Sequence, residues 1–279
     1  MASKVKKPKG EMSFLEHLEE LRWVLVRCSA AILIMAIFSY FFADWIFTDL
    51  IFGPTNPNFI TYRFFCEASH YLGFADSICV TELNFIIQNT QMEGQVNIFV
   101  WICITTGFIL AFPYILWEFW RFISPALYEK EQKGARVFIF AASLLFFLGV
   151  LFGYYVIVPM SVNFLATFSI STVVKNQFSI DSYVSMVKTA VIASGLYFEL
   201  PIIIYFLTKL GLVGPEFLRK YRKYGVVIIL IIAAIVTPPD VISQITVAVP
   251  MLLIYEMSIW ISALVVKNKK KNEQISRGI

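Results

Sequence analysis

Carboxylates beside and inside long apolar runs are the residues of this sequence best suited to do chemistry. Glu16, Glu19 and Glu20 stand just before the first apolar run, in Ser13-Phe14-Leu15-Glu16-His17-Leu18-Glu19-Glu20-Leu21-Arg22. Ser13 with a Glu three residues on reads as a capping box. Phe14, Leu15, Leu18, Leu21 and Leu25 then recur at helical spacing. An amphipathic helix with an acidic face is expected to lead into the first span. Glu16 and Glu20 are a like-charged i,i+4 pair, mildly destabilising unless something basic sits nearby. The plain alternative is a solvated face that ends an anchor.

A second acidic region follows the second apolar run, in Trp117-Glu118-Phe119-Trp120-Arg121-Phe122-Ile123-Ser124-Pro125-Ala126-Leu127-Tyr128-Glu129-Lys130-Glu131. The Trp residues suit an interfacial belt, with Arg121 placed to snorkel. Glu118 and Arg121, three apart, are expected to pair. Pro125 stops the helix and leaves Glu129 and Glu131 in a loop. Glu199, in Gly195-Leu196-Tyr197-Phe198-Glu199-Leu200-Pro201, falls near the middle of an apolar run. A charge there costs about 2.5–3.5 kcal/mol on insertion scales, which makes the residue a functional candidate. Its bland reading is a protonated acid bonded to a neighbouring helix. Pro201 cannot donate to the Tyr197 carbonyl, so a free acceptor is expected beside the acid. Thr237-Pro238-Pro239-Asp240 reads as a tight turn, with Gln244 in the run that follows.

Other chemistry is poorly supported. Two histidines, His17 and His70, cannot build a His-based metal cluster. No HExxH, GxSxG or P-loop pattern occurs. Neither an enzyme, nor a metal, nor another cofactor is expected. A net charge of +4 is weak support for a nucleic-acid partner, and the basic residues are better explained by topology.

The elements that must carry these residues are membrane helices. Hydrophobic residues make up 58% of the 279 and charged residues 15%, with mean hydropathy +0.73; a soluble domain runs nearer a quarter charged. Six segments approach the roughly 20 apolar residues of a span: Trp23–Ala43, Asn97–Phe122, Val137–Pro159, Tyr183–Leu207, Tyr224–Val236 and Val241–Val266. The fifth is short and must thin the bilayer or be sheltered; a re-entrant pair with the sixth is equally compatible with the charges. Pro113, Pro159, Pro201 and Pro250 are expected to bend their helices. The opening stretch is polar and lacks a small-residue cleavage site, so the first run reads as an anchor. Nineteen of the 23 Lys and Arg fall in alternate connections or the two tails, which the positive-inside rule places in the cytoplasm. The expected organisation is an amphipathic N-terminus over residues 1–22, a six-helix domain over 23–266 and a basic tail over 267–279. The long loop from Asp44 to Val96 then lies in an oxidising compartment, where Cys66 and Cys79 are free to bridge or to stay as two thiols. Cys28 and Cys103 fall in spans and suit packing.

Four of these stretches, FLEHLEELR, FWRFISPALYEKE, YFELP and TPPDVISQ, together resemble the TatC family, the receptor subunit of the twin-arginine protein translocase. The match covers nearly the whole chain in order. The resemblance implies an all-α, six-helix, glove-like membrane fold in the bacterial inner membrane, both termini cytoplasmic. It implies binding of the twin-arginine signal peptides of folded precursors at the cytoplasmic face, with transport driven by the proton motive force. Glu20 and Glu131 would receive the two arginines, with Arg22, Phe122, Pro125, Leu127 and Tyr128 shaping the site. Glu199 would be the buried polar residue, Thr237 and Gln244 would meet single-span TatA/TatB-type partners, and Pro54 and Asp240 match further motif positions. Membrane lipids and further copies of the chain are the remaining expected partners. The rival reading is a small proton- or ion-coupled transporter using Glu199, Glu256 and Lys188. Lys188 and Glu199 share a helix face but stand about 16 Å apart along it, with Val191, Ile192 and Gly195 between them.

Overall fold

The computed structural model describes residues 14–71, 79, 83, 85–124, 135–171, 175–238 and 240–276. Helices dominate: α1 (Phe14–Tyr40), α2 (Ile60–Tyr71), α3 (Gly94–Ile123), α4 (Ala135–Phe152), α5 (Val158–Thr167), α6 (Ile180–Phe198), α7 (Leu200–Lys209), α8 (Pro215–Lys220), α9 (Arg222–Val236) and α10 (Val241–Ser276). Two three-residue strands, β1 (Ile86–Gln88) and β2 (Gln177–Ser179), pair in parallel. Among the described residues, five stretches are long and apolar enough to cross a membrane: His17–Tyr40, Gly94–Ile123, Val137–Thr167, Ile180–Lys209 and Ser243–Lys269. The expected fifth span is α9. Its 15 residues reach about 22 Å, short of a roughly 30 Å hydrocarbon core.

Contacts divide the chain into two units, Met1–Ala43 with Val100–Leu144, and Asp44–Phe99 with Leu145–Ile279. In the first, α1 runs unbroken from the acidic stretch into its apolar part. Val24 and Cys28 bury against Ala111 and Ile115 of α3, with Ile32, Met35, Phe108 and Phe122 around them. The backbones approach closely at Gly107, where a Cβ would meet Ala36 N at 2.6 Å and Ile32 O at 2.8 Å.

The second unit uses the same device twice. A Cβ at Gly149 would lie 2.6 Å from Ser194 O, and one at Gly153 would lie 2.8 Å from Ala190 O. These glycines, four residues apart, let α6 lie backbone to backbone against the end of α4, as small residues do between membrane helices. The Gly-xxx-Gly spacing of 149 and 153 is the signal in the sequence that marks this contact. Just beyond, the helix widens into a π turn over Gly153–Ile157 before α5 resumes.

The four span prolines do not act alike. Pro159 follows directly on the π turn and Pro201 on the break at Glu199, so each lies where the regular i→i−4 ladder is already interrupted. Pro113 and Pro250 lie inside continuous helices. At the other end of α7, Gly211 (φ 79°) provides the left-handed residue of a helix stop, with Leu212 N–H donating to Leu207 O at 2.9 Å.

Between Ala43 and α2 the backbone is irregular, and its carbonyls need donors. Three tyrosines supply them. Tyr154 donates to Leu50 O at 2.7 Å, Tyr183 to Ile51 O at 2.6 Å, and Tyr62 is shared between Pro54 O at 2.9 Å and Pro159 O at 3.0 Å. Burial pushes the Tyr62 hydroxyl above its ordinary range, so it remains a donor. On α2, Cys66 is joined to Cys79 in a disulfide. Cys28 and Cys103 are buried free thiols.

Candidate functional site

The acidic start of α1 lies against the end of α3. The His17 ring stacks on Phe122 with centroids 4.3 Å apart, which fixes the first turns of α1 beside the last turn of α3. Glu20 is half-buried and Arg22 exposed. His17 and Glu20, three residues apart, share a helix face, so Glu20 falls on the side that meets Phe122. Arg22 lies over the Trp23 ring at 5.6 Å. His17 was not among the expected site residues; its spacing from Glu20 was the signal available. Pro125, Leu127, Tyr128 and Glu131 lie outside the described residues, as does Ser13 of the expected capping box.

Farther along the same helices, one expectation fails. Glu118 pairs with Arg27 of α1, Nε to Oε2 at 2.8 Å, and not with Arg121. Its other oxygen accepts from the Tyr114 hydroxyl at 3.0 Å. Glu118 is 3% exposed, so its charge needs a partner inside the protein. Arg121 is exposed at the helix end. A cavity of about 420 Å³, lined by Arg27, Ala30, Ala31, Ile34, Leu110 and Tyr114, lies alongside the pair.

In the second unit Glu199 occupies the joint between α6 and α7. It is 5% exposed, and its Oε1 has no hydrogen-bond partner among the described residues. Its backbone does more. The carbonyl accepts from Ile202 N–H and Ile203 N–H, each at 3.0 Å, and its N–H donates to the Leu196 carbonyl at 3.2 Å. The Tyr197 hydroxyl donates to Met251 O at 2.9 Å, tying the joint to α10.

Thr237 and Gln244 flank the turn between α9 and α10. The Thr237 hydroxyl donates to Ala233 O at 2.8 Å, and Gln244 Nε2 donates to Leu230 O at 3.2 Å. Asp240 caps α10, its carboxylate accepting from Ser243 N–H at 2.8 Å. Pro54 is buried in a short 3₁₀ turn. A cavity of about 450 Å³ is lined by Phe85, Phe178, Ser182, Ser185, Thr189 and Thr237. Glu256, a member of the rival relay, is on the surface and paired with Arg222 at 2.8 Å.

Apolar helices of spanning length, with polar groups gathered at helix ends, at one joint and in one buried ion pair, define a multi-pass integral membrane protein. Residues 16–250 match the family model for the Sec-independent protein translocase protein TatC. The chain is 43% identical over 270 residues to that protein from Blattabacterium sp. subsp. Periplaneta americana, covering 95% of this chain and 100% of the relative. It is 34% identical over 261 residues to the Aquifex aeolicus protein, covering 93% and 98%. Its fold is similar to a crystal structure of the twin arginine translocase receptor TatC, with a TM-score of 0.69 at 34% identity, over 90% of this chain and 100% of that one. A second crystal structure of that receptor, in DDM, gives 0.70 at 33% identity. The chain belongs to the TatC family: it is a predominantly helical membrane component of a protein translocase and not an enzyme.

Proposed function

We propose that this chain is the receptor subunit of a twin-arginine translocase, recognising signal peptides at the face where α1 begins and α3 ends. The His17–Phe122 stacking carries the reading. It brings the Glu20 side of α1 to the point from which the segment bearing Glu131 departs. A guanidinium presents a rigid fork of donors that matches a carboxylate bidentately, and an ammonium does not. Two carboxylates at a partly desolvated interface therefore select Arg-Arg over Lys-Lys. Arg22, Pro125, Leu127 and Tyr128 belong to the same site. That face is cytoplasmic, as are both termini, because the basic connections and tails gather there. The membrane is the bacterial inner membrane. Thr237 and Gln244 are the contact points for single-span TatA/TatB-type subunits. Export is of folded precursors, is driven by the proton motive force and uses several copies of the chain.

The small-transporter reading has less support, since Glu256 is surface-exposed and already paired with Arg222. The test is the affinity of the detergent-solubilised chain for a twin-arginine signal peptide and for its Lys-Lys twin. Wild type is expected to prefer Arg-Arg by at least tenfold. Glu20→Ala and Glu131→Ala should each reduce that preference without lowering the melting temperature. Equal affinity for both peptides in wild type would falsify the receptor reading. Normal binding by both variants would move the site elsewhere.

A further inference from the structure

The short helix α9 sets cations at an unusual depth. It is registered on α10 at two points: Gln244 reaches Leu230 in mid-helix, and Arg222 pairs with Glu256 at its first residue. Tyr255 also donates to Leu218 O of α8 at 3.1 Å. The α8–α9 corner therefore stands level with residues 255–256 of α10. Beyond that level α10 continues with Met257-Ser258-Ile259-Trp260-Ile261-Ser262-Ala263-Leu264-Val265-Val266 before its first lysine, Lys267. Lys267 comes eleven positions after Glu256, about 16 Å along the helix. Met257, Trp260 and Leu264 of that stretch are exposed, as lipid-facing residues are. On the other flank α7 is held to the same stretch by the Thr208–Ser262 hydrogen bond at 2.9 Å.

At this recessed level stand Arg219, Lys220, Arg222 and Lys223, all exposed. Glu216, Glu256 and Glu273 are the acids in the sequence of α8, α9 and α10; Glu256 is engaged by Arg222, and Glu273 comes six residues after Lys267. The corner also carries an aromatic cluster. Phe217 and Tyr221 have ring centroids 4.6 Å apart, Tyr221 and Tyr224 5.9 Å, and the Lys220 ammonium lies 5.9 Å from the Tyr221 ring. Aromatic rings and cations together are the furniture of a headgroup region. Here they sit where the neighbouring helix still presents hydrocarbon-facing residues.

Hydrated cations cannot rest at hydrocarbon depth, so something must bring polar surroundings inward. Snorkelling of Lys and Arg along α10 recovers part of the distance. Thinning of the bilayer beside a helix that is too short supplies the rest. Phospholipid phosphates are the anions that a thinned leaflet carries with it. We propose that the α8–α9 corner, through Arg219, Lys220 and Lys223, is a binding site for the phosphate headgroup of an anionic phospholipid drawn inward of the plane marked by Lys267. The excess of cations favours an anionic lipid over a zwitterionic one. The lipid would fasten the thinned leaflet against α9, the helix that leads to Thr237.

The test uses the full chain in detergent, titrated in native mass spectrometry with phosphatidylglycerol and with phosphatidylcholine of the same acyl chains. Phosphatidylglycerol should be retained roughly tenfold more tightly. The preference should vanish in R219Q/K220Q/K223Q and survive in K267Q/K269Q, whose substitutions lie beyond the recess. Lys223→Gln alone, a change at one exposed side chain, should weaken it two- to threefold and guards against misfolding of the triple variant. Inorganic phosphate at millimolar concentration should leave the bound lipid in place. The proposal is overturned by equal retention of the two lipids, by an unchanged preference in the triple variant, by loss of preference only in the tail variant, or by displacement with inorganic phosphate.

Discussion

Two buried carboxylates, one in each unit, meet opposite treatment. Glu118 is matched on both oxygens, by the Arg27 guanidinium and the Tyr114 hydroxyl. Glu199 is nearly as buried, yet its Oε1 is without a partner among the described residues, while its backbone joins two helices. The first acid is part of the packing between α1 and α3. The second costs folding energy that nothing described nearby returns, which is how residues kept for a use behave. The two units also differ in what holds them. The first relies on an apolar seam and one ion pair. The second adds close glycine contacts and tyrosine hydroxyls that support irregular backbone.

The largest expected effect comes from orphaning the matched acid. Arg27→Ala should lower stability by about 3 kcal/mol, toward the low end for broken buried pairs, because Arg27 keeps 34% of its side chain exposed. Thermal unfolding in detergent reads this. Arg27→Met combined with Glu118→Leu should regain most of the loss. If the single change is silent, the pair does not hold the first unit.

Gly153→Ala tests the second unit in the same assay. The new methyl meets Ala190 O at 2.8 Å, Val191 Cα at 2.9 Å and the Ser194 side chain, and overpacking of this kind costs about 2 kcal/mol. Tyr183→Phe should cost about 1 kcal/mol by leaving the Ile51 carbonyl without its donor. Limited proteolysis near residues 46–56 should then speed up.

The smallest effect sharpens the contrast most. Glu199→Gln replaces a carboxyl whose Oε1 lacks a described partner and should change stability by less than about 1 kcal/mol, in either direction. Glu118→Gln, the same chemical change at the matched site, should cost at least twice as much. Equal losses would erase the distinction between the two acids. For the loop, mass spectrometry of unreduced protein should show the Cys66 and Cys79 peptides linked. Alkylation of both thiols without reduction would contradict the bridge.

Some of this was legible in the residues. The apolar runs marked the helices because a span needs length and hydrophobicity alone. The short fifth run was equally plain, and α9 is short for the reason its composition gave. Glu199 stood out because acids are rare in such runs. The partner of Glu118 was misread, since i,i+3 spacing points along a helix while Arg27 comes from another helix 91 residues away. Gly149 and Gly153 carry a Gly-xxx-Gly spacing, but only α6 lying against them decides which backbone they admit.

By itself the sequence determined which segments enter a membrane, which acids stand out and which family the chain resembles. All three follow from local composition and short motifs. Tertiary structure alone decided which acid is paired, which glycines touch a neighbouring backbone, which tyrosines support the loop and where along α10 the α8–α9 cations lie. These depend on register between helices far apart in the chain, and the few ångströms that fix such register are set by packing.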